Sequence, residues 1–190
     1  LVLATAMSFS PGPNTTLSAA LAANGGLRHA MRFVWAVPVG WCLLLLLCAA
    51  GVGGLVVAVP ALRGGIKAVG VAYLLWLAWK LSGSATLGQA AGDKLQISFR
   101  QGVALQFVNI KAWLLALTII AGWVAGHPDA QQRMAIVSPV MLFFAFASNL
   151  FYALVGAVLR SWLAQGKRLL WFNRCMAGIL VLTAAWMLKI

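Results

Sequence analysis

The sequence predicts an all-α integral membrane protein with six transmembrane helices. Of its 190 residues, 63% are hydrophobic and only 8% are charged, and the mean hydropathy is +0.96. Soluble domains are only about 45 to 50% apolar. The apolar residues fall into six runs, and a chain of this length can hold about six spans of about 20 residues. Because no room is left for a separate soluble domain, we predict one transmembrane domain over residues 1–190.

Glycine, proline and charged residues set the limits of the predicted spans. The spans cover residues 1–23, 34–58, 64–82, 100–125, 135–159 and 169–188. The opening run lacks a small-residue cleavage pattern, so we expect a retained span rather than a signal peptide. The least hydrophobic stretch is typical of a linker, and it divides the chain into a first half at about 1–82, a linker at about 83–98 and a second half at about 99–190. Because each half has three spans, the second must cross in the opposite sense, and we predict a 3+3 inverted repeat with broken helices at the bilayer midplane.

The basic residues are unevenly distributed among the connections. A net charge of +12 arises from 14 Lys and Arg against two acidic residues. The first, third and fifth connections hold most of the Lys and Arg near the membrane. The positive-inside rule then places these odd connections in the cytoplasm and both termini outside. The charge therefore indicates membrane lipid as a partner and does not imply nucleic acid.

Residues for catalysis or metal binding do not form recognisable sets. Cys42, Cys48 and Cys175 form neither a CxxC pair nor a metal-ligand spacing. His29 and His127 lie in connections without other ligands, and neither is placed to serve a serine nucleophile at membrane depth. We therefore predict no catalytic residues, no metal and no cofactor, and a protein that is not an enzyme.

A break is predicted in the first span. Pro11, Gly12 and Pro13 disrupt helical hydrogen bonding, and backbone groups freed at membrane depth need protein or a polar cavity to cover them. Asn14 and Thr15 can cap a new half-helix, whose free N–H groups and positive dipole end favour a carboxylate. The alternative is a proline kink that serves only helix packing.

The fourth span has a polar feature at the corresponding depth. Asn109 and Lys111 lie about ten residues after the start of this span, and Pro11 to Asn14 lie at the same distance from the start of the first span. A lysine so deep costs about 2.5 to 3.5 kcal/mol and needs a partner, yet no Asp or Glu lies in any predicted span. Either a bound carboxylate or the carbonyl ends of the broken helices can satisfy Lys111. The alternative is that its side chain snorkels to an interface.

Two polar residues in the fifth span are further candidates for the same site. Asn149 and Tyr152 are spaced i and i+3, so they share one helical face and can reach the same cavity. Hydrogen bonding between helices is the alternative. Glycines in the spans are expected at close helix contacts, namely Gly51, Gly53, Gly54, Gly64, Gly65, Gly70, Gly156 and Gly178.

Several motifs in order along the chain closely resemble one family. These are Ser10-Pro11-Gly12-Pro13-Asn14, Gly25-Gly26-Leu27-Arg28, the run from Gly70 to Lys80, and Phe99-Arg100-Gln101-Gly102 leading to Asn109-Ile110-Lys111. Together they are similar to the LysE/RhtB family of bacterial amino-acid exporters over essentially the whole chain. The resemblance implies a six-span protein of the bacterial inner membrane that expels amino acids or related metabolites, driven by the proton gradient and often as a homodimer.

The chain departs from the family pattern at two places. Ile110 stands where the family usually has proline, so the fourth span is expected to be less broken than the first. The second span has no carboxylate or imidazole in residues 40–47, where relatives often carry Asp or His. The driving force therefore stays open among the proton gradient, the membrane potential and the substrate gradient.

The sequence favours an exporter that works by alternating access. The two halves rock around a midplane cavity in which Pro11, Gly12, Pro13, Asn14, Thr15, Asn109, Lys111, Asn149 and Tyr152 contact the substrate. Because no buried acid can pair with a cationic side chain, neutral and more apolar amino acids are the favoured substrates. Two other hypotheses stay open: a membrane-embedded enzyme or redox relay, and a non-transporting sensor or scaffold derived from the same fold.

Overall fold

The described residues form a bundle of helices. The computed structural model describes residues 2–84 and 96–189, without the side chain of Leu3. Most of the predicted linker at about 83–98 therefore lies outside the described residues. Within them there are nine α-helices, a short π-helical turn and no strand. The elements are α1 (Val2–Phe9), α2 (Pro13–Gly25), α3 (Leu27–Ala49), α4 (Val52–Ala58), α5 (Pro60–Ser82), α6 (Phe99–Val108), α7 (Ile110–Ile119, continued by the π-helix Ile120–Val124), α8 (Ala130–Leu163) and α9 (Arg168–Lys189).

Four helices are long and apolar enough to cross a membrane on length and composition. They are α3, α5, α8 and α9. The pair formed by α6 and α7 with its π-helix is bent by 67° and counts as a fifth span when taken as one broken helix. The shorter pair of α1 and α2 does not meet the same criteria, so six spans and the 3+3 repeat stay predictions.

Several helix limits differ from the predicted spans. The first connection, expected to contain Arg28 and Arg32, is reduced to a turn at Gly26 with φ of +85°, and α3 begins at Leu27. Likewise, α8 extends beyond 135–159 at both ends. The reason is that apolarity marks only the part of a helix that lies in lipid, whereas backbone hydrogen bonding continues into the polar region. The second predicted span also divides, because Gly51, with φ of +91°, ends the run and starts α4.

The helix α2 lies at the centre of the bundle, between α8, α3 and α9. Nearly all of its residues are buried, and many of them are alanine or serine. Small side chains let neighbouring backbones approach closely. The closest approach is at Gly156 of α8, where an added Cβ would lie 2.2 Å from the carbonyl oxygen of Ala19.

Two apolar clusters fill the two ends of the bundle. One contains Leu17 and Leu21 of α2 with Phe33 of α3, and the other contains Trp41 of α3 with Met141 of α8. The first cluster covers the second half of α2, whereas the second surrounds the π-helix and the start of α8. The breaks between α1 and α2 and between α6 and α7 lie where the clusters meet.

A buried amide network gathers three connections at one end of the bundle. The side chains of Asn24 and Asn173 donate to each other at 2.8 and 2.9 Å, and Asn173 also donates to the carbonyl oxygen of Ser84 at 2.8 Å. Asn24 ends α2, Ser84 follows α5 and Asn173 lies in the first turns of α9. The first, third and fifth connections therefore meet at the same end, which we name the odd end; the opposite end is the even end.

Candidate functional site

The first helix break lies between Phe9 and Pro13. Gly12 is fully extended, its N–H donates to the Thr15 hydroxyl at 3.1 Å, and that hydroxyl donates back to the Gly12 carbonyl at 3.2 Å. The first N–H groups of a helix have no acceptor within it, and Pro13 at the first position has no N–H to lose. The break therefore leaves the N–H groups of Asn14 and Thr15 without an acceptor within the helix at the largely buried start of α2.

The second break lies at Asn109, which has φ of −90° and ψ of 98° between α6 and α7. Its side-chain oxygen accepts the N–H of Lys111 at 3.2 Å and so caps α7. The indole N–H of Trp113 donates to the carbonyl oxygen of Phe107 at 2.8 Å, which satisfies a group that the break sets free. The fourth span is broken although Ile110 stands in place of proline, because the Asn109 side chain caps a new helix. Only Asn109 is non-helical at this break, whereas Ser10, Pro11 and Gly12 are non-helical at the first, which agrees with a less broken fourth span.

Lys111 joins the two breaks. Its ammonium donates to the Ser10 hydroxyl at 2.6 Å and to the Ser10 carbonyl at 3.1 Å. The carbonyl end of α1 is therefore its partner, which is one of the two partners that the sequence suggested. Of the two acidic residues in the chain, Asp129 pairs with Arg133 at the start of α8 and Asp93 lies outside the described residues.

The side chain of Asn14 is held by α6. It donates to the Gln106 side-chain oxygen at 2.8 Å and accepts from the Gln106 amide at 3.1 Å. Gln106 is fully buried and also donates to the carbonyl of Gly102 at 3.1 Å. Because Gln106 occupies both ends of the Asn14 amide, Asn14 offers the cavity mainly its backbone N–H.

Asn149 and Tyr152 have different positions despite sharing a helix face. Asn149 accepts from the Ser18 hydroxyl at 2.8 Å and donates to the carbonyl of Ala145 at 2.8 Å, at the side of the cavity. The Tyr152 hydroxyl instead donates to the carbonyl of Phe9 at 2.9 Å. Tyr152 therefore caps the end of α1, while Asn149 faces the same space as the helix breaks.

A cavity of about 60 Å³ lies between the breaks. Seven of the nine predicted residues line it, namely Gly12, Pro13, Asn14, Thr15, Asn109, Lys111 and Asn149. Pro11 instead lines a groove of about 400 Å³ between the break and α9, which shares Ser10 and Lys111 with the cavity. Tyr152 lines neither space.

Sequence reasoning missed several residues of the site. Ser10 was part of the predicted break but was not expected to hold Lys111, and Gln106 was not singled out. Seven apolar residues of the lining were also missed, namely Met7, Val37, Trp41, Ala112, Leu115, Met141 and Ala145. Gln106 could have been found from its position one helical turn before Asn109, since a glutamine deep in a span needs a hydrogen-bonding partner.

The groups that line the cavity favour a ligand that carries both a negative and a positive group. Lys111 brings a positive charge, the start of α2 brings N–H groups without an acceptor within the helix, and no acid among the described residues lines the space. Asn109 and Asn149 add polar oxygens that can accept hydrogen bonds from an ammonium group. A small zwitterion, with its carboxylate toward Lys111, matches this set of groups.

Apolar helices of spanning length with a polar cavity at helix breaks are features of the transporter class. The chain belongs to the family of LysE type translocators, which it matches over residues 5–189. Its relatives include the cysteine/O-acetylserine efflux protein of Escherichia coli strain K12, with 34% identity over 182 residues, 96% of this chain and 91% of the relative. The protein of the same name from Salmonella typhimurium strain LT2 is 32% identical over 178 residues, 93% of this chain and 89% of the relative. No solved structure gives a significant match.

Proposed function

We propose that this protein exports small, uncharged amino acids across the bacterial inner membrane by alternating access, with the substrate carboxylate held between the two helix breaks. The observation that carries the proposal is the Lys111 ammonium, which lies in the cavity with only Ser10 as partner among the described residues. A carboxylate that replaces Ser10 gives Lys111 a charged partner in place of a neutral one. The N–H groups of Asn14 and Thr15 lie at the same cavity.

The lining argues against a cationic substrate side chain. Within residues 2–84 and 96–189, no Asp or Glu lines the cavity, so a second positive charge on the substrate has no counter-charge from these residues. The cavity volume of about 60 Å³ supports small substrates over large ones. The names of the relatives, which refer to cysteine and O-acetylserine efflux, agree with such a substrate.

The broken helices support the proposed transport mechanism. In transporters with inverted repeats, substrate sites form where discontinuous helices meet, and one repeat rocks against the other. Here α1 with α2 is the proposed first broken span, and α6 with α7 is its counterpart in the second half. Lys111 of the second half holds Ser10 of the first. A homodimer, which the resemblance implies, stays a prediction.

The test is efflux of a panel of labelled amino acids from cells preloaded with dipeptides. The intact chain is compared with Asn14→Ala, Lys111→Ala and Lys67→Ala at matched membrane expression. Lys67 is the control, because it is also a partly buried lysine within a helix but lines a different cavity.

We expect efflux of small neutral amino acids to fall about tenfold or more in Lys111→Ala, as the loss of a charge-assisted hydrogen bond predicts, and to persist in Lys67→Ala. Asn14→Ala is expected to weaken efflux by disturbing the start of α2. If the intact chain exports nothing faster than empty cells do, the non-transporting scaffold becomes the better hypothesis. Efflux that survives both site substitutions contradicts the proposed site.

A further inference from the structure

The cavity has an apolar wall opposite its polar groups. Its large side chains come from four elements, namely Met7 of α1, Trp41 of α3, Leu115 of α7 and Met141 of α8, and smaller apolar residues lie beside them. Trp41, Leu115 and Met141 belong to one packed apolar cluster, and Met7 packs against it. Trp41 and Met141 are only 4% exposed, so packing against neighbouring residues holds these two side chains in place. We name these four residues the apolar wall.

The apolar wall lies on the even-end side of the polar groups. On α7, Leu115 follows Lys111 by about one turn, and on α8, Met141 precedes Asn149 by about two turns. Trp41 lies in the second half of α3 and Met7 precedes the first break. On each of the four helices, the wall residue is therefore closer to the even end than the polar groups are. One end of a molecule bound in the cavity then faces Lys111, and its other end faces the wall.

We propose that the apolar wall is the subsite for the substrate side chain and sets the upper size limit of what is exported. This inference rests on the proposed function, because the wall has this role only if the carboxylate lies at Lys111. An amino acid held there by its carboxylate projects its side chain away from the helix breaks. The wall is the apolar surface that such a side chain meets.

The chemistry of the wall defines the substrate class. Thioether sulfurs and an indole ring are polarisable, and they favour short apolar or sulfur-containing side chains over charged ones. A closely packed wall excludes longer side chains, because the surrounding cluster cannot move without strain. The subsite therefore takes amino acids with short, uncharged side chains, such as a thiol, and rejects longer ones such as that of methionine.

The test measures efflux of labelled cysteine and labelled methionine in the same cells. Met141→Ala removes most of one wall side chain, and Trp41→Phe replaces a large ring with a smaller one. Met141→Leu keeps nearly the same volume. Met134→Ala is the matched control, because Met134 lies on the same face of α8 about two turns away, packs against the same cluster and does not line the cavity.

We expect Met141→Ala and Trp41→Phe each to raise the efflux ratio of methionine to cysteine about fivefold or more, since one methylene in a pocket changes discrimination about 10-fold or more. Met141→Leu and Met134→Ala should leave the ratio within about twofold of the intact protein. Both substitution sites are tested because Met141 also lines an outer groove of about 510 Å³.

The outcomes separate this inference from the proposed function. If the intact protein exports neither amino acid, nor any other of the panel, the proposed function fails. If the intact protein exports cysteine and both wall variants keep its ratio, the function stands and the subsite is refuted. Equal acceleration of both substrates by Met141→Ala and Trp41→Phe also overturns the inference, because it identifies the wall as a gate rather than a subsite.

Discussion

At the residue scale, the site depends on which polar atoms already have partners. Asn14 has its side-chain amide bonded at both ends to Gln106, whereas Lys111 has a positive charge beside neutral oxygens of Ser10. A ligand anion gains more from Lys111 than from an amide whose bonds must first be broken. Gln106 is therefore a positioning residue, which fixes the start of α2 without lining the cavity.

Replacing Gln106 with leucine should affect both stability and transport. Gln106→Leu leaves the partly buried Asn14 amide without its partner, so we expect the free energy of unfolding to fall by about 1 to 3 kcal/mol. Denaturation of the purified protein in detergent measures this loss. Gln132→Leu is the control, because Gln132 is exposed on α8. Equal stability and equal substrate affinity of the two variants would contradict the positioning role.

The residues of the site were predictable to different degrees. Pro11 to Asn14 and Lys111 stand out because breakers and charges are costly in a membrane, whatever surrounds them. The partners of Lys111 and Asn14 were not predictable, since these contacts span 101 and 92 residues and depend on how the helices pack. Tyr152 shares a helix face with Asn149 but reaches the end of α1, and no spacing rule on a single helix foretells that difference.

At the element scale, the two breaks are produced by different means. Prolines and an extended glycine interrupt the first, as the sequence indicated. Asn109 interrupts the second by capping α7 with its side chain, which a rule based on proline alone misses. A polar residue with capping ability inside an apolar run is therefore as informative about a broken span as a proline is.

Glycine placement shows why element packing was only partly predictable. Of the glycines expected at helix contacts, Gly53, Gly70 and Gly156 do lie against neighbouring elements. For Gly51, Gly54, Gly64, Gly65 and Gly178 this expectation is wrong within the single chain, because nothing among the described residues lies within 4 Å of an added Cβ. Composition identifies small residues, but only the bundle determines which of them face another helix.

The contact between α2 and α8 can be tested with one methyl group. In Gly156→Ala, the new Cβ would lie 2.2 Å from the carbonyl oxygen of Ala19, so the helices must separate. Overpacking of this kind costs about 1 to 3 kcal/mol of unfolding free energy. Gly178→Ala in α9 meets open space and should instead gain about 0.5 to 1 kcal/mol from helix propensity. Denaturation of both variants measures the difference, and equal stability would refute this close contact.

At the scale of the whole molecule, the two ends of the bundle differ in how they are closed. At the odd end, the amides of Asn24 and Asn173 bond to each other and to the Ser84 carbonyl, behind a continuous apolar cluster. At the even end, the apolar wall and the rest of its packed cluster lie beyond the cavity. Alternating access requires the odd end to open at some stage of each cycle, and the amide network must then come apart.

Cross-linking of the odd end should therefore stop export. Cys42, Cys48 and Cys175 are first replaced by alanine, and Asn24→Cys is combined with Asn173→Cys. Because the two native side chains are within hydrogen-bonding distance, a short bifunctional methanethiosulfonate can join the introduced cysteines through disulfide bonds, which a reductant cleaves. We expect efflux of cysteine to fall to the background of empty cells on cross-linking and to return when a reductant cleaves the bridge.

The single-cysteine variants control for modification alone and should keep exporting after treatment. Continued export by the fully cross-linked protein would show that α2 and α9 stay together throughout the cycle, and the rocking of the two halves would then have to be abandoned.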